Sequence, residues 1–405
     1  MTSRPDTSAR VPEWDGVRGL AILMVVFHHY GNIQPGIGGG PGAIRSAVPL
    51  LWTGVDLFFV LSGFLLGGIL MNHRDSGNYF KTFYLRRVCR ILPLYFLWMA
   101  LFFAVPFLLS PANPPGWYLT IFHQDIAHFP NWVYLFFFQN LFMAKTGYAV
   151  ASWLGPTWSL AIEEQFYLVI PFIIWLAPPR RLLAVLLALI AMVPAFRIYL
   201  FLFHSGIFTY VLLPCRADSL LLGVLCAYLL RDDYFRSLLE RHRNWLRSAL
   251  IVLAAGMAGL TIFSNQRGNG LLYSYEMATF GFTWIALFYA CLILVVGTSR
   301  SGALARLTRV PVLRHFGIIA YGMFLINLPV ITLVQGLISG KTMPDIGNWS
   351  DVLTALLAFL VTWILAFLSW KFFEKPIVRW GHSFSYAKTK PMVPAAENVP
   401  TASVP

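Results

Sequence analysis

Charge is what this sequence has least of: Asp, Glu, Lys and Arg together make up 12 % of its 405 residues, against 58 % apolar and 16 % aromatic. A soluble domain needs about a quarter of its residues charged to cover its exterior. The shortage therefore implies an exterior facing lipid, and it excludes soluble globular, disordered and collagen-like chains. Cysteine is scarce as well. Cys89, Cys215, Cys226 and Cys291 lie in or beside apolar segments with no pair at zinc spacing, which argues against a disulfide framework and a metal site. Acid is the rarer sign, and the net charge is +13. In a membrane chain that excess marks cytoplasmic connectors rather than nucleic-acid binding. No internal repeat stands out, which weighs against a transporter built from duplicated halves.

What the sequence does have is long apolar runs, each tested against the roughly 20 residues a span requires. Eleven occur, with cores near 17–32, 48–71, 91–110, 131–144, 157–177, 182–201, 209–230, 247–264, 278–298, 316–336 and 351–373. Connectors rich in Lys and Arg stay cytoplasmic. Residues 73–90 hold Arg74, Lys81, Arg86, Arg87 and Arg90, and residues 231–247 hold Arg231, Arg236, Arg241, Arg243 and Arg247. Both lie inside only if an even number of crossings separates them, so 131–144, the shortest run, does not cross. The expected fold class is an all-α polytopic membrane protein, a bundle of ten transmembrane helices with both termini cytoplasmic. A long external segment from about 111 to 156 has an aromatic middle that re-enters or lies on the membrane. Residues 1–380 form the transmembrane domain and 381–405 a disordered cytoplasmic tail. The first run lacks a small-residue cleavage site, so it is not a removed signal peptide.

Ionisable groups inside spans are costly and by default mark function. The run WDGVRGLAILMVVFHHY places Asp15 and Arg18 at the inner end of the first span and His28 and His29 well inside. Arg18 and His29 stand about three turns apart on nearly one face, roughly 16 Å along the axis. Asp56 lies early in the second span. WSLAIEEQFYLVIP places Ser159, Glu163 and Tyr167 on one stripe, with Glu164 beside them. At about 1.5 Å per residue, His29, Asp56 and Glu163 fall roughly 9 to 12 Å below the outer face, with Arg197 and Arg216 at similar depth and Asp218 close by. This layer suggests a shared, water-accessible cavity in which a carboxylate supports His29 as a general base toward an alcohol. A buried network that only ties helices together is the competing reading. On the inner side Arg86, Arg87 and Arg90 form an amphipathic basic stretch that could clamp phosphates or simply anchor the next span. Other signals carry little weight. GNIQPGIGGGPGAIR reads as a flexible loop, Asn348-Trp349-Ser350 as a chance glycosylation match, His123 and His128 as surface histidines, and Glu13 and Glu374 as capping or pairing groups.

From Trp14 to about Pro376 the sequence resembles the transmembrane acyltransferase family 3, bacterial O-acyltransferases of surface carbohydrates and some secondary metabolites. The resemblance is carried by Arg18 and His29 with ten residues between them, DLFFVLSGF from Asp56, the RxxR of Arg87 and Arg90, WSLAIEEQFY with Glu163, RADSLLLG from Arg216, and FEKP at Glu374. It implies ten membrane helices, a cytoplasmic acyl-CoA donor, usually acetyl-CoA, and an acceptor hydroxyl on the far side. His29 would be catalytic, and Arg18, Arg87 and Arg90 would serve the donor or the fold. The sequence departs from the family in AYGMFLINLPV, where Asn327 stands at a position often held by His. Asn can hydrogen-bond but cannot shuttle a proton near neutral pH.

The resulting expectation is an O-acyltransferase of the inner membrane with no bound cofactor. His29, Glu163 and Asp56 are the catalytic candidates; Arg18, Arg86, Arg87 and Arg90 bind acyl-CoA. His28, Ser159, Arg197, Arg216, Asp218 and Asn327 line the cavity or the acceptor site. The acceptor is a carbohydrate or lipid-linked glycan, or a macrolide-like molecule with an apolar face. Transfer is direct or passes through an acyl-histidine. A second esterase module after the last span is not expected. The alternative is a proton-coupled transporter of a lipid-linked sugar or organic acid, with His29 and Glu163 as its relay.

Overall fold

In lipid every backbone polar group must be satisfied within the protein, which long apolar runs achieve only as helices. The computed structural model describes residues 11–31, 48–109, 111–122, 129–147, 151–204, 206–266, 274–299, 301–341 and 346–387. Among them there is no strand. The loop from residue 32 to 47, His123, His128 and the tail from 388 lie outside the described residues.

The helices are α1 (Pro12–Tyr30), α2 (Gly54–Asn72, after a tight turn Val48–Thr53), α3 (Tyr79–Leu109), α4 (Gly116–Phe122), α5 (Trp132–Leu135), α6 (Gln139–Thr146), α7 (Thr157–Leu176), α8 (Leu182–Phe203), α9 (Gly206–Val211), α10 (Leu213–Arg231), α11 (Asp233–Arg241), α12 (Arg243–Gln266), α13 (Phe282–Thr298), α14 (Ala303–Thr308), α15 (Pro311–Ile318), α16 (Ala320–Ser339), α17 (Trp349–Ser369) and α18 (Lys375–Ser383). Among the described residues eight helical stretches are long and apolar enough to cross a membrane. They contain α2, α3, α7, α8, α10, α13, α16 and α17. The chain is an all-α polytopic membrane protein. The two remaining apolar runs form α1 and α12, 19 and 24 residues long. Residues 131–144 make α5 and α6, four and eight residues long. At about 1.5 Å per residue neither can cross a 30 Å core.

Small residues bring the central helices together. A Cβ on Gly63 of α2 would lie 1.9 Å from the Leu220 carbonyl oxygen, and one on Gly223 of α10 would lie 2.0 Å from the Val60 carbonyl oxygen. The two backbones therefore touch, as close crossings of membrane helices require. Asp56, Val60, Gly63 and Gly67 share the face of α2 turned to α10, while Val55, Phe58, Ser62 and Leu65 face away from it into a cavity.

The segment around α4 to α6 folds onto the bundle. Tyr95 donates to the Tyr134 carbonyl at 2.7 Å, the Trp98 and Trp153 rings stack 4.3 Å apart, and the Asn140 and Gln165 amides exchange hydrogen bonds. Tyr118, Phe122 and Tyr134 are buried. These three fill the core, while Trp132, Phe136 and Phe138 of the same segment are exposed. Asn348 caps α17, accepting from the Asp351 amide at 3.0 Å. At the chain's end α18 continues to Ser383, and residues 384–387 are held against α3 and the turn before it, so regular structure persists past the expected boundary at 381.

Candidate functional site

The basic stretch of α3 and the N-terminal end of α1 converge on an open vestibule of ≈ 800 Å³. Arg18, Arg86, Arg87, Arg90, Arg231, Lys375 and Arg379 line it, with Asp15 and His382. The opposing acid is largely spent, because Arg18 pairs with Asp15 at 3.1 Å. Seven cations around one concavity focus a strong positive potential. Arg90 lies 5.4 Å from the centre of the Trp370 ring, and Arg87 Nε is buried without a hydrogen-bond partner.

A second cavity of ≈ 140 Å³ continues into the bundle, sharing Arg18, Leu65, Arg87 and Arg90 with the vestibule. Helical period places Ser159, Glu163 and Tyr167 together on its wall, as the sequence stripe predicts. Tyr167 donates to Glu163 at 3.0 Å, so the Ser62 hydroxyl, 2.5 Å away, donates to the phenol oxygen. The chain Ser62–Tyr167–Glu163 gives the chamber an ordered polar wall beyond the three arginines. Phe58 and Phe324 line its far side as an edge-to-face pair with centroids 6.4 Å apart.

His29 lines neither cavity. It is half-buried near the end of α1, and its Nδ1 lies 2.5 Å from Asn327 Oδ1 of α16. Asn327 sits one turn beyond the cavity residue Phe324. Its amide nitrogen donates to the main-chain oxygens of Met323 and Phe324, both at 2.8 Å. Those two bonds fix the amide orientation, so only Oδ1 can face the imidazole, and it can only accept. Nδ1 therefore carries the proton and Nε2 keeps a lone pair. This is the tautomer a general base needs. Beside it, His28 has a buried Nδ1 with no hydrogen-bond partner.

Residues 11–371 match the acyltransferase domain family. The chain belongs to that family. It is 28 % identical over 382 residues to the peptidoglycan O-acetyltransferase OatA of Listeria monocytogenes, covering 92 % of this chain and 56 % of the relative. To the putative peptidoglycan O-acetyltransferase YrhL of Bacillus subtilis it is 29 % identical over 402 residues, covering 93 % and 56 %. A putative O-acetyltransferase of Staphylococcus aureus is 26 % identical over 389 residues, covering 92 % and 58 %. The chain spans about half the length of the curated relatives it matches. No solved structure matches it.

Within this acyltransferase fold the expected layer of charges resolves into separate groups. Arg216 pairs with Asp56 at 2.5 Å, Arg197 pairs with Asp218, and all four side chains are fully buried. Ser219 and Thr283 complete the cluster, which lines neither cavity. Asp56 is thus committed to Arg216, a correction to its placement beside His29. It lies on the α10 face of α2, and Gly54 just before it packs against Ala21, Met24 and Val25, about one to two turns short of His29 on α1. Arg197, Arg216 and Asp218 are corrected with it, from cavity lining to helix-to-helix ties. Arg86 does line the vestibule, but its Nε donates to the Phe384 carbonyl. The sequence reading passed over Ser62, whose only signal is its position one step from the α10-facing stripe, and over Lys375, the lysine of the FEKP motif, and Arg379, which follows it.

Proposed function

We propose that the protein is a membrane O-acyltransferase moving an acyl group, in the first instance acetyl, from cytoplasmic acyl-CoA to a hydroxyl of an extracytoplasmic carbohydrate or lipid-linked glycan. The observation carrying this reading is the continuity of the cationic vestibule with the inner cavity through Arg18, Arg87 and Arg90, leading toward an imidazole held in the basic tautomer. The donor's phosphates dock on the vestibule arginines, and its arm follows the cavity past Ser62 and Tyr167. The Phe58–Phe324 pair parts to pass the thioester to His29, which lies roughly 16 Å along α1 from Arg18. Nε2 takes the acceptor hydroxyl's proton as its oxygen bonds to the thioester carbonyl carbon. The carbon–sulfur bond breaks, and the leaving thiolate takes the proton back from the imidazolium. The names of the relatives support a cell-wall glycan as acceptor.

Membranes containing the protein, incubated with acetyl-labelled acetyl-CoA, test the reading. Label should appear covalently on an envelope glycan or lipid. Uptake of label without covalent transfer would favour a transporter instead.

Arg87→Ala should raise the apparent KM for acetyl-CoA by about ten- to a hundredfold, the scale of a lost charge-assisted hydrogen bond, with a smaller change in kcat. Arg87→Lys should recover only part of the loss, since it keeps the charge but not the planar fork. Initial-rate kinetics with donor varied read both; an unchanged KM would reduce Arg87 to a membrane anchor.

A further inference from the structure

Beyond α18 the chain crosses the start of α3 as a strap. Arg86 Nε donates to the Phe384 carbonyl at 2.8 Å, Asn78 Nδ2 donates to the Ser385 carbonyl at 2.9 Å, and the Ala387 amide donates to Asn78 Oδ1 at 2.7 Å. These bonds bracket Tyr386. Its ring lies flat on the imidazole of His73, with centroids 3.9 Å apart and 4° between the planes. The Arg86 guanidinium carbon stands 5.1 Å from the centre of the same ring. Burial, with Arg86 and Arg231 nearby, lowers the pKa of His73 and favours a neutral imidazole. The Tyr386 hydroxyl is buried without a hydrogen-bond partner.

The strap borders the cationic vestibule, since Arg86 and Asn72, the neighbour of His73, both line it. A flat ring with a polar edge, set against an imidazole and a guanidinium beside a phosphate-attracting concavity, reproduces the setting in which a nucleobase stacks. A tyrosine serving only to fasten the strap would gain from a partner for its hydroxyl, and Tyr386 has none. Arg86, Arg87 and Arg90 lie within about 6 Å along one helix, so a base at Arg86 leaves its phosphates within reach of the other two.

We propose that His73 and Arg86 form the site for the nucleobase of the acyl-CoA donor, and that Tyr386 occupies it until the donor displaces the strap. The proposal rests on the acyl-CoA reading and makes the segment 384–387 a competitive self-ligand. An occupied site lowers apparent affinity by the fraction of molecules in which it is open.

Calorimetric titration of the full chain in nanodiscs with adenosine 3′,5′-bisphosphate, and separately with 4′-phosphopantetheine, tests it. Tyr386→Ala should tighten the nucleotide by roughly three- to tenfold, the worth of one aromatic stack, and leave phosphopantetheine unchanged. Asn78→Ala, which frees the strap without touching either ring, should act in the same direction, and Tyr386→Phe should match the wild type. Adding His73→Ala to Tyr386→Ala should reverse the gain. Nucleotide affinity equal in wild type, Tyr386→Ala and Asn78→Ala would overturn the self-ligand while leaving the acyl-CoA reading intact. Failure of every form to bind the nucleotide, phosphopantetheine or acetyl-CoA would overturn both.

Discussion

His29→Ala should abolish acyl transfer, with kcat falling by at least about a hundredfold, while the protein still reaches the membrane in normal amount. A positioned general base contributes roughly 10² to 10⁴ in rate, and alanine leaves no group to replace it. The imidazole has little packing to lose, being half-buried at the end of α1. Asn327 provides the companion test. Asn327→Leu removes the acceptor that holds Nδ1–H, freeing the ring to turn and to take the other tautomer. Its kcat should fall by about ten- to a hundredfold, typical of groups that orient an imidazole, with the donor KM little changed. Asn327→Asp keeps an acceptor for Nδ1–H but loses the two bonds donated to the Met323 and Phe324 carbonyls, so its activity should fall between the wild type and the leucine variant. Label transfer from acetyl-CoA, normalised to the protein in the membrane, measures all three. Near wild-type transfer by His29→Ala would remove the imidazole from the chemistry.

Legibility of the site from sequence followed how local each relation is. The stripe Ser159, Glu163, Tyr167 is a property of one helix, so its period alone places the three residues on one wall. The short run at 131–144 and the charge balance of its flanking connectors were enough to recognise a segment that does not cross. Asp56 shows where this reasoning stops. Residue count gives only a nominal depth, and both the offset and the rotation of a helix depend on its neighbours: Gly54 packs against Ala21, Met24 and Val25, not against the His29 end of α1. A usable signal was present in Asp56, Val60, Gly63 and Gly67, a stripe of one face with small residues where two backbones touch. The His29–Asn327 bond joins residues 298 positions apart, and nothing local announces it. The change from the family's usual His was visible, but not that the Asn amide would be oriented by its own helix to hold the imidazole. The vestibule was legible only in part: the α3 arginines stood out, whereas Lys375 and Arg379 reach it through the return of α18 to α3.

Asp56→Ala should be among the most damaging single changes to stability, costing about 3 to 5 kcal/mol, because it leaves a fully buried charge without its ion-pair partner. Arg216 is fully buried, with Phe282 4.1 Å and Tyr210 5.4 Å from its guanidinium carbon. Its Nε and Nη1 already lack partners, so the bond to Asp56 is most of what compensates its burial. Thermal unfolding in detergent should show a large drop in midpoint, and the folded yield should fall. A catalytic Asp56 would also give an inactive variant, so the single change alone does not separate the two roles. The double variant Asp56→Leu with Arg216→Met does. Replacing both members of a buried pair by apolar groups of similar size is often neutral or stabilising. A structural pair therefore predicts that the double variant regains folded yield and much of its acyl transfer. Recovery of the fold without any activity would instead return Asp56 to the chemistry and place an open path between it and His29.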